Sequence, residues 1–126
     1  MIAVDTSSWI AFLSGAAGAD VEFVEQALAD RQVAMPPVVL TELLSDSKLP
    51  ASVSQLIAQV PLLEVIDGYW ERAGTLRAKV LRLKRRAPLA DALIAQSCLD
   101  HEVALVTRDG DFRPFVRAGG LRLLSE

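Results

Sequence analysis

Apolar residues along the 126-residue chain follow two alternating rhythms. Short aliphatic runs at Ile2–Asp5, Val33–Met35, Leu62–Ile66, Val103–Thr107 and Leu121–Leu124 read as strands. Between them lie segments of roughly 8 to 18 residues whose apolar positions recur three and four apart, the spacing of one helix face. Ser7 or Ser8 offers a cap for a helix through Trp9–Leu13 that Gly15 ends, and Asp20 offers one for 21–30. Pro37, Pro50 and Pro88 suit the first turns of helices reaching Leu44, Gln59 and Leu99. The longest helix is predicted over 68–86 behind Asp67, with Tyr69, Ala73, Leu76, Val80, Leu83 and Ala87 as its apolar seam. Strands alternating with helices predict an α/β fold, a parallel sheet with helices on both faces.

Composition narrows the class. No repeat, low-complexity tract or linker interrupts the alternation, so the expectation is a single domain over residues 1–126. Apolar residues make up 52% of the chain, enough for a core that needs no disulfide. Cys98 is the only cysteine, which excludes an internal disulfide and points to a reducing cytoplasm. The opening MIAVDTSSWIAFLSGAAGA has only a superficial likeness to a secretory signal: no Lys or Arg precedes its apolar run and Asp5 interrupts it. No apolar stretch reaches the length of a membrane span.

Charge adds an asymmetry. The formal net charge is −3, yet residues 72–86 hold seven of the thirteen basic side chains and no acid, leaving six basic against sixteen acidic groups elsewhere. Such segregation suggests an anionic partner at one patch. On the predicted long helix, Arg72, Lys79, Arg82 and Arg86 share one flank beside the apolar seam, with Arg85 close behind and Arg77 and Lys84 on the other side. A solvated helix normally mixes signs to gain pairs one turn apart. The absence of acids here favours contacts to the phosphates of a nucleic acid.

The acids carry the candidate chemistry. Asp5 closes the first strand, and Asp109 and Asp111 follow the fourth. Asp91 lies in the first turn behind Pro88, where a helix N-terminus favours negative charge. Glu42 falls between Val38 and Val39 on the apolar face of its helix, where an unpartnered carboxylate is costly. Each has a plain structural role open to it: a turn, a cap, a buried ion pair. Together they have another. In a parallel sheet, strand C-termini and the starts of the following helices meet at one edge, where ligands bind. Carboxylates about 4 Å apart repel by up to ~4 kcal/mol at an effective dielectric near 20. Protonation or a cation relieves this, and hard oxygen donors without histidine point to Mg²⁺ or Mn²⁺ rather than zinc. The segment DGDF lacks the ligand spacing of an EF-hand loop. His101, the only histidine, sits at a helix end, Cys98 reads as core, and no P-loop or dinucleotide fingerprint occurs. Trp9, Phe12, Leu13, Phe23, Val24 and Leu28 read mostly as core, with some of that surface open to a partner.

Four blocks, VDTSSWIAFL, TELL, LADALIA and LVTRDGDF, in this order and spacing resemble a PIN-domain ribonuclease, and more narrowly the VapC-type toxins of bacterial toxin–antitoxin pairs. The resemblance spans nearly the whole chain; 16–36 and 45–67 follow it only in pattern. It implies a three-layer α/β/α sandwich with a five-stranded parallel sheet. It maps the family's catalytic and metal-binding acids onto Asp5, Glu42, Asp91 and Asp109, with Asp111 as a less regular member and Asp5 and Asp91 as direct ligands. It places Thr6 or Ser7, and Thr107, as hydroxyls that orient the acids or a water. It further implies an endoribonuclease using one or two Mg²⁺ or Mn²⁺ ions on RNA, often tRNA or rRNA, a homodimer, and a cognate antitoxin whose C-terminal segment blocks the crevice. The basic set Arg72, Lys79, Arg82, Arg85 and Arg86 would then contact RNA. A PIN-like module that binds RNA or a partner without cutting is the alternative. A response-regulator receiver lacks its acidic pair here, since Asp5 has no acidic neighbour, and a haloacid-type phosphatase lacks its Asp-x-Asp.

Overall fold

The computed structural model describes residues 1–124. Its elements are β1 (Ile2–Val4), α1 (Thr6–Leu13), α2 (Ala19–Ala29), β2 (Val33–Ala34), α3 (Pro37–Leu44), α4 (Ala51–Ala58), α5 (Tyr69–Arg82), α6 (Leu89–Asp100), β3 (Ala104–Val106), α7 (Arg113–Gly119) and β4 (Leu123–Leu124), with one 3-10 turn at Gly110–Phe112. The strands lie in the order β2-β1-β3-β4, and every pair is parallel. Parallel neighbours need crossovers, which the helices provide while covering the sheet. Ala3, Val4, Val33, Ala34 and all of β3 are accordingly buried, without the polar alternation of a half-exposed strand. Trp9, Met35, Phe112 and Phe115 are the largest fully buried side chains. No helix among the described residues is long and apolar enough to cross a membrane.

Register is what places the site. Val4 of β1 pairs with Val106 of β3, so the two central strands end side by side. The next residues, Asp5 and Thr107, therefore leave the sheet together, and the Asp5 N–H donates to the Val106 carbonyl at 2.9 Å. α1 packs on α2 and α3, α3 touches α6, and α5 packs on α6 and α7. The first turns of α1 and α6 thus flank that strand edge.

Several expectations need correction. Among the described residues the sheet has four strands, not five. Leu62–Ile66 contributes one isolated parallel bridge, Leu62 to Met35, closed by Met35 N–H to the Pro61 carbonyl at 2.7 Å and Leu63 N–H to the Met35 carbonyl at 2.9 Å. Only Leu63 of that run is buried, while Leu62, Val65 and Ile66 stand exposed. With one side chain in the core, little apolar area holds the run against the sheet edge.

The long helix ends at Arg82 rather than 86. Lys84 turns to a left-handed φ of 62°, Arg85 N–H reaches the Val80 carbonyl and Lys84 N–H the Leu81 carbonyl, a Schellman closure. Ala87 is still buried, but on the return path, where its carbonyl accepts from Arg77 Nε at 2.7 Å. Neither Ser7 nor Ser8 caps α1, whose N-cap is Asp5, and α2 begins at Ala19 behind Gly18, so Asp20 lies inside its first turn. Ser8 and Asp20 are spent on partners farther along the chain, and Ser7 on the carboxylate of Asp5.

Candidate metal centre

Asp5 is the innermost acid, 5% exposed at the end of β1. Its Oδ2 accepts from Ser7 Oγ at 2.7 Å and from Thr107 Oγ1 at 2.9 Å. Burial pushes its carboxyl above the ordinary range, against the pull of those two hydroxyls and the Thr6 and Ser7 backbone. Thr107 Oγ1 also accepts from the Asp109 N–H at 3.0 Å, tying the two strand-end acids to one hydroxyl.

Glu42 is not buried, contrary to its place on the apolar side of the sequence pattern. It is exposed on α3 and accepts from Thr6 Oγ1 at 2.6 Å. The face of α3 that looks apolar in projection also borders α1, and there Glu42 meets a polar partner rather than the core. Asp109 rather than Asp111 caps the chain after β3: Asp109 Oδ1 accepts from the Asp111 N–H at 2.9 Å, opening the 3-10 turn. That turn is pinned by Phe112, fully buried between the exposed Arg113 and the half-buried Asp111.

Asp91, half-buried in the first turn of α6, is where these acids meet. Its carboxyl is pushed up to about 7, first by burial and then by the charges of Asp5, Asp109, Asp111 and Glu42. Carboxylate oxygens of Asp91, Asp109 and Asp111 lie within 4.8 Å of one another. Opposite ligands of one Mg²⁺ ion span about 4 Å, so this spacing suits a small hard cation. Asp5 and Glu42 lie outside that closest set. The nearest cationic group is Arg86, whose Nη1 is 3.7 Å from Asp111 Oδ2 with both side chains well exposed. Such an open pair neutralises little.

The remaining basic residues divide. Arg108, although next to Asp109 in sequence, turns away from the acids and forks onto Asp20, with Nε to Oδ2 at 2.8 Å and Nη2 to Oδ1 at 2.9 Å. Ser8 Oγ donates to the same Oδ2 at 2.8 Å. This Ser8–Asp20–Arg108 group ties α1, α2 and the loop after β3 together behind the site. Nothing local in the sequence pointed to it, because its partners stand as much as 88 positions apart. Arg72 is engaged elsewhere: it holds Asp100, at the opposite end of α6 from Asp91, through contacts of 2.9 and 2.7 Å. Lys79, Arg82, Arg85 and Arg86 are exposed. Cys98 is buried, its thiol pushed up to about 12 by burial, and His101 Nε2 lies 2.7 Å from the Glu64 carbonyl, so neither joins the cluster.

Comparison with known proteins bears on the fold and the family. The chain shares its fold with VapBC2 from Rickettsia felis, solved bound to a DNA fragment from its promoter, at 20% identity and a TM-score of 0.72 over 100% of this chain and 99% of that one. VapBC-5 from Mycobacterium tuberculosis gives 22% identity and 0.70 over 99% and 98%. DNA-bound VapBC from Salmonella typhimurium gives 16% and 0.65 over 99% and 98%. No curated protein matches the chain. The PIN-domain family model matches residues 2–117, a span that takes in all five acids, and the chain belongs to the PIN-domain family.

Proposed function

We propose that this protein is a divalent-metal-dependent endoribonuclease and the VapC-type toxin of a toxin–antitoxin pair, working as a single domain over residues 1–126. The reading is supported above all by the convergence of Asp5, Glu42, Asp91, Asp109 and Asp111 at one sheet edge in a PIN-family chain. Three carboxylates within 4.8 Å and a fourth and fifth close behind form an all-oxygen donor set with no cation of comparable burial. That set fits Mg²⁺ or Mn²⁺, one or two ions, held by Asp91, Asp109 and Asp111 with Asp5 behind them. A bound ion supplies Lewis acidity, easing water toward hydroxide and balancing the charge that builds on a phosphodiester.

The chain's own residues do the rest. Ser7 and Thr107 hold Asp5 in one orientation, so its charge stays aimed at the crevice. Thr6 fixes one oxygen of Glu42, leaving the other to orient an attacking water. Arg86, at the rim, can leave Asp111 for a substrate phosphate, because an exposed pair at 3.7 Å is weakly held. An RNA substrate is supported by this placing of cations beside acids, and tRNA or rRNA by the resemblance to VapC-type toxins. A protein antitoxin is supported by the likeness to VapBC complexes. It is also supported by Ile10 and Leu44, apolar side chains 56% and 51% exposed on α1 and α3, the helices that carry Thr6 and Glu42. Homodimerisation and a cytoplasmic site of action, the latter suited to a free buried cysteine, complete the proposal.

Cleavage of a labelled tRNA pool by the purified protein, with Mg²⁺ or Mn²⁺ and with EDTA, tests it. Asp91→Asn should lower the rate at least 100-fold, since it removes a ligand charge, while circular dichroism stays unchanged. Wild-type cleavage that persists in EDTA, or full activity in Asp91→Asn, would overturn it. RNA binding with no metal-dependent turnover would leave the non-cutting PIN module in its place.

A further inference from the structure

Arg113 and Arg117 stand one turn apart on α7, and with Arg85 they line a hollow of about 180 Å³ whose other walls are Leu83 and Pro114. All three arginines are exposed, and among the described residues none is in an ion pair. Like charges one turn apart repel, and a cation at the first position of α7 opposes the helix dipole. Each of these features is unfavourable for the chain alone, and an anion in the hollow would relieve all of them. The two apolar walls strengthen its attraction by keeping water to one side.

Position says which anion. Arg85 is the neighbour of Arg86, which reaches Asp111, and Arg113 is two residues beyond Asp111. The hollow therefore adjoins the rim of the acidic crevice on the side where the basic segment arrives. Guanidinium groups pair with phosphate through planar forked contacts. We infer that Arg85, Arg113 and Arg117 form a phosphate notch that holds a backbone phosphate of the RNA strand as it leaves the acidic crevice. The notch rests on the proposed RNA substrate but not on cleavage. The long basic helix made Arg85 visible in the sequence; Arg113 and Arg117 gave a signal too, two basic residues four apart with no acid between.

Binding rather than turnover tests it. In an Asp91→Asn background, a fluorescein-labelled single-stranded RNA of mixed sequence is titrated by anisotropy from low to physiological salt. Each lost phosphate contact on a single strand should flatten the slope of log affinity against log salt by about 0.7. Arg113→Gln with Arg117→Gln, which empties a notch for one phosphate, should therefore flatten it by about 0.7 and weaken low-salt binding at least ten-fold, whereas Arg117→Lys, which keeps the charge, should hold the slope. Lys48→Gln, an exposed charge on the loop after α3, is the control. An unchanged slope in the double variant overturns the notch and leaves those arginines to a protein partner. An equal drop in Lys48→Gln overturns it as well, by showing that net charge alone is responsible. Metal-dependent cleavage is measured separately on the wild type, so failure of the nuclease and failure of the notch are read independently.

Discussion

At the scale of single residues, two carboxyl groups respond to pH in opposite ways. Asp91 sits near 7 in the folded chain against 3.8 for an ordinary aspartate. A raised acid binds its proton more tightly when folded, so without metal its contribution fades as pH climbs from about 4 through about 7. Asp91→Asn, which cannot ionise, should raise metal-free stability at pH 8 by about 1–2 kcal/mol, after allowing for solvent at its open side. At pH 4 it should change little; urea unfolding at both values checks this. Asp20 is the reverse case. The Arg108 fork holds its carboxyl at about 2, so its stabilisation is complete above about 4 and is lost as pH falls toward 2. Arg108→Gln should lower stability at neutral pH, with the gap to wild type closing below pH 4. Asp5, Asp91 and Asp109 were legible from their places beside strand and helix ends. The burial of Glu42 was misread, because a helical projection says which residues share a face but not what that face meets.

At the scale of elements, the proline-led starts of α3, α4 and α6 follow their sequence signals closely, since proline fixes φ and needs no hydrogen-bond partner there. Helix ends were harder. α1 stops at Gly15, but α2, α5 and α6 close on Arg31, Lys84 and Glu102 with φ of 55°, 62° and 54°. At Arg31 the Gln32 N–H reaches back to the Ala27 carbonyl at 2.8 Å, so the closure forms without glycine. An L-residue there is strained, and Arg31→Gly should stabilise the protein by about 0.5–1 kcal/mol after the added freedom of the unfolded chain is set against the relief. Thermal unfolding would show it, and a lowered midpoint would mean that the Arg31 side chain outweighs its backbone strain. The same absence of a local stop signal let the seam of α5 run on to Ala87 in the sequence, although the helix ends at Arg82. The fifth strand failed for a different reason: Leu62–Ile66 has strand-like composition but only Leu63 to bury.

At the scale of the whole molecule, five acids at one edge store repulsion that the fold must outweigh. A cation bound there favours the folded state by mass action, about 2.7 kcal/mol at 100 times its dissociation constant. Mn²⁺ at saturating concentration should therefore raise the melting temperature of wild type, EDTA should remove the gain, and Asp91→Asn should show little of it; equal melting with and without Mn²⁺ would count against the metal centre. Local pattern sufficed for the proline-led helix starts, four of the five apolar strands and the acids at their ends, because proline positions, periods of two and 3.6, and strand-end positions are properties of a few neighbouring residues. Tertiary structure alone decided the register that sets Asp5 beside Thr107, the turning of Arg108 toward Asp20 rather than Asp109, and the meeting of Arg85 with Arg113 and Arg117. Those contacts join side chains far apart along the chain, and only the packing of helices around the parallel sheet brings them within reach.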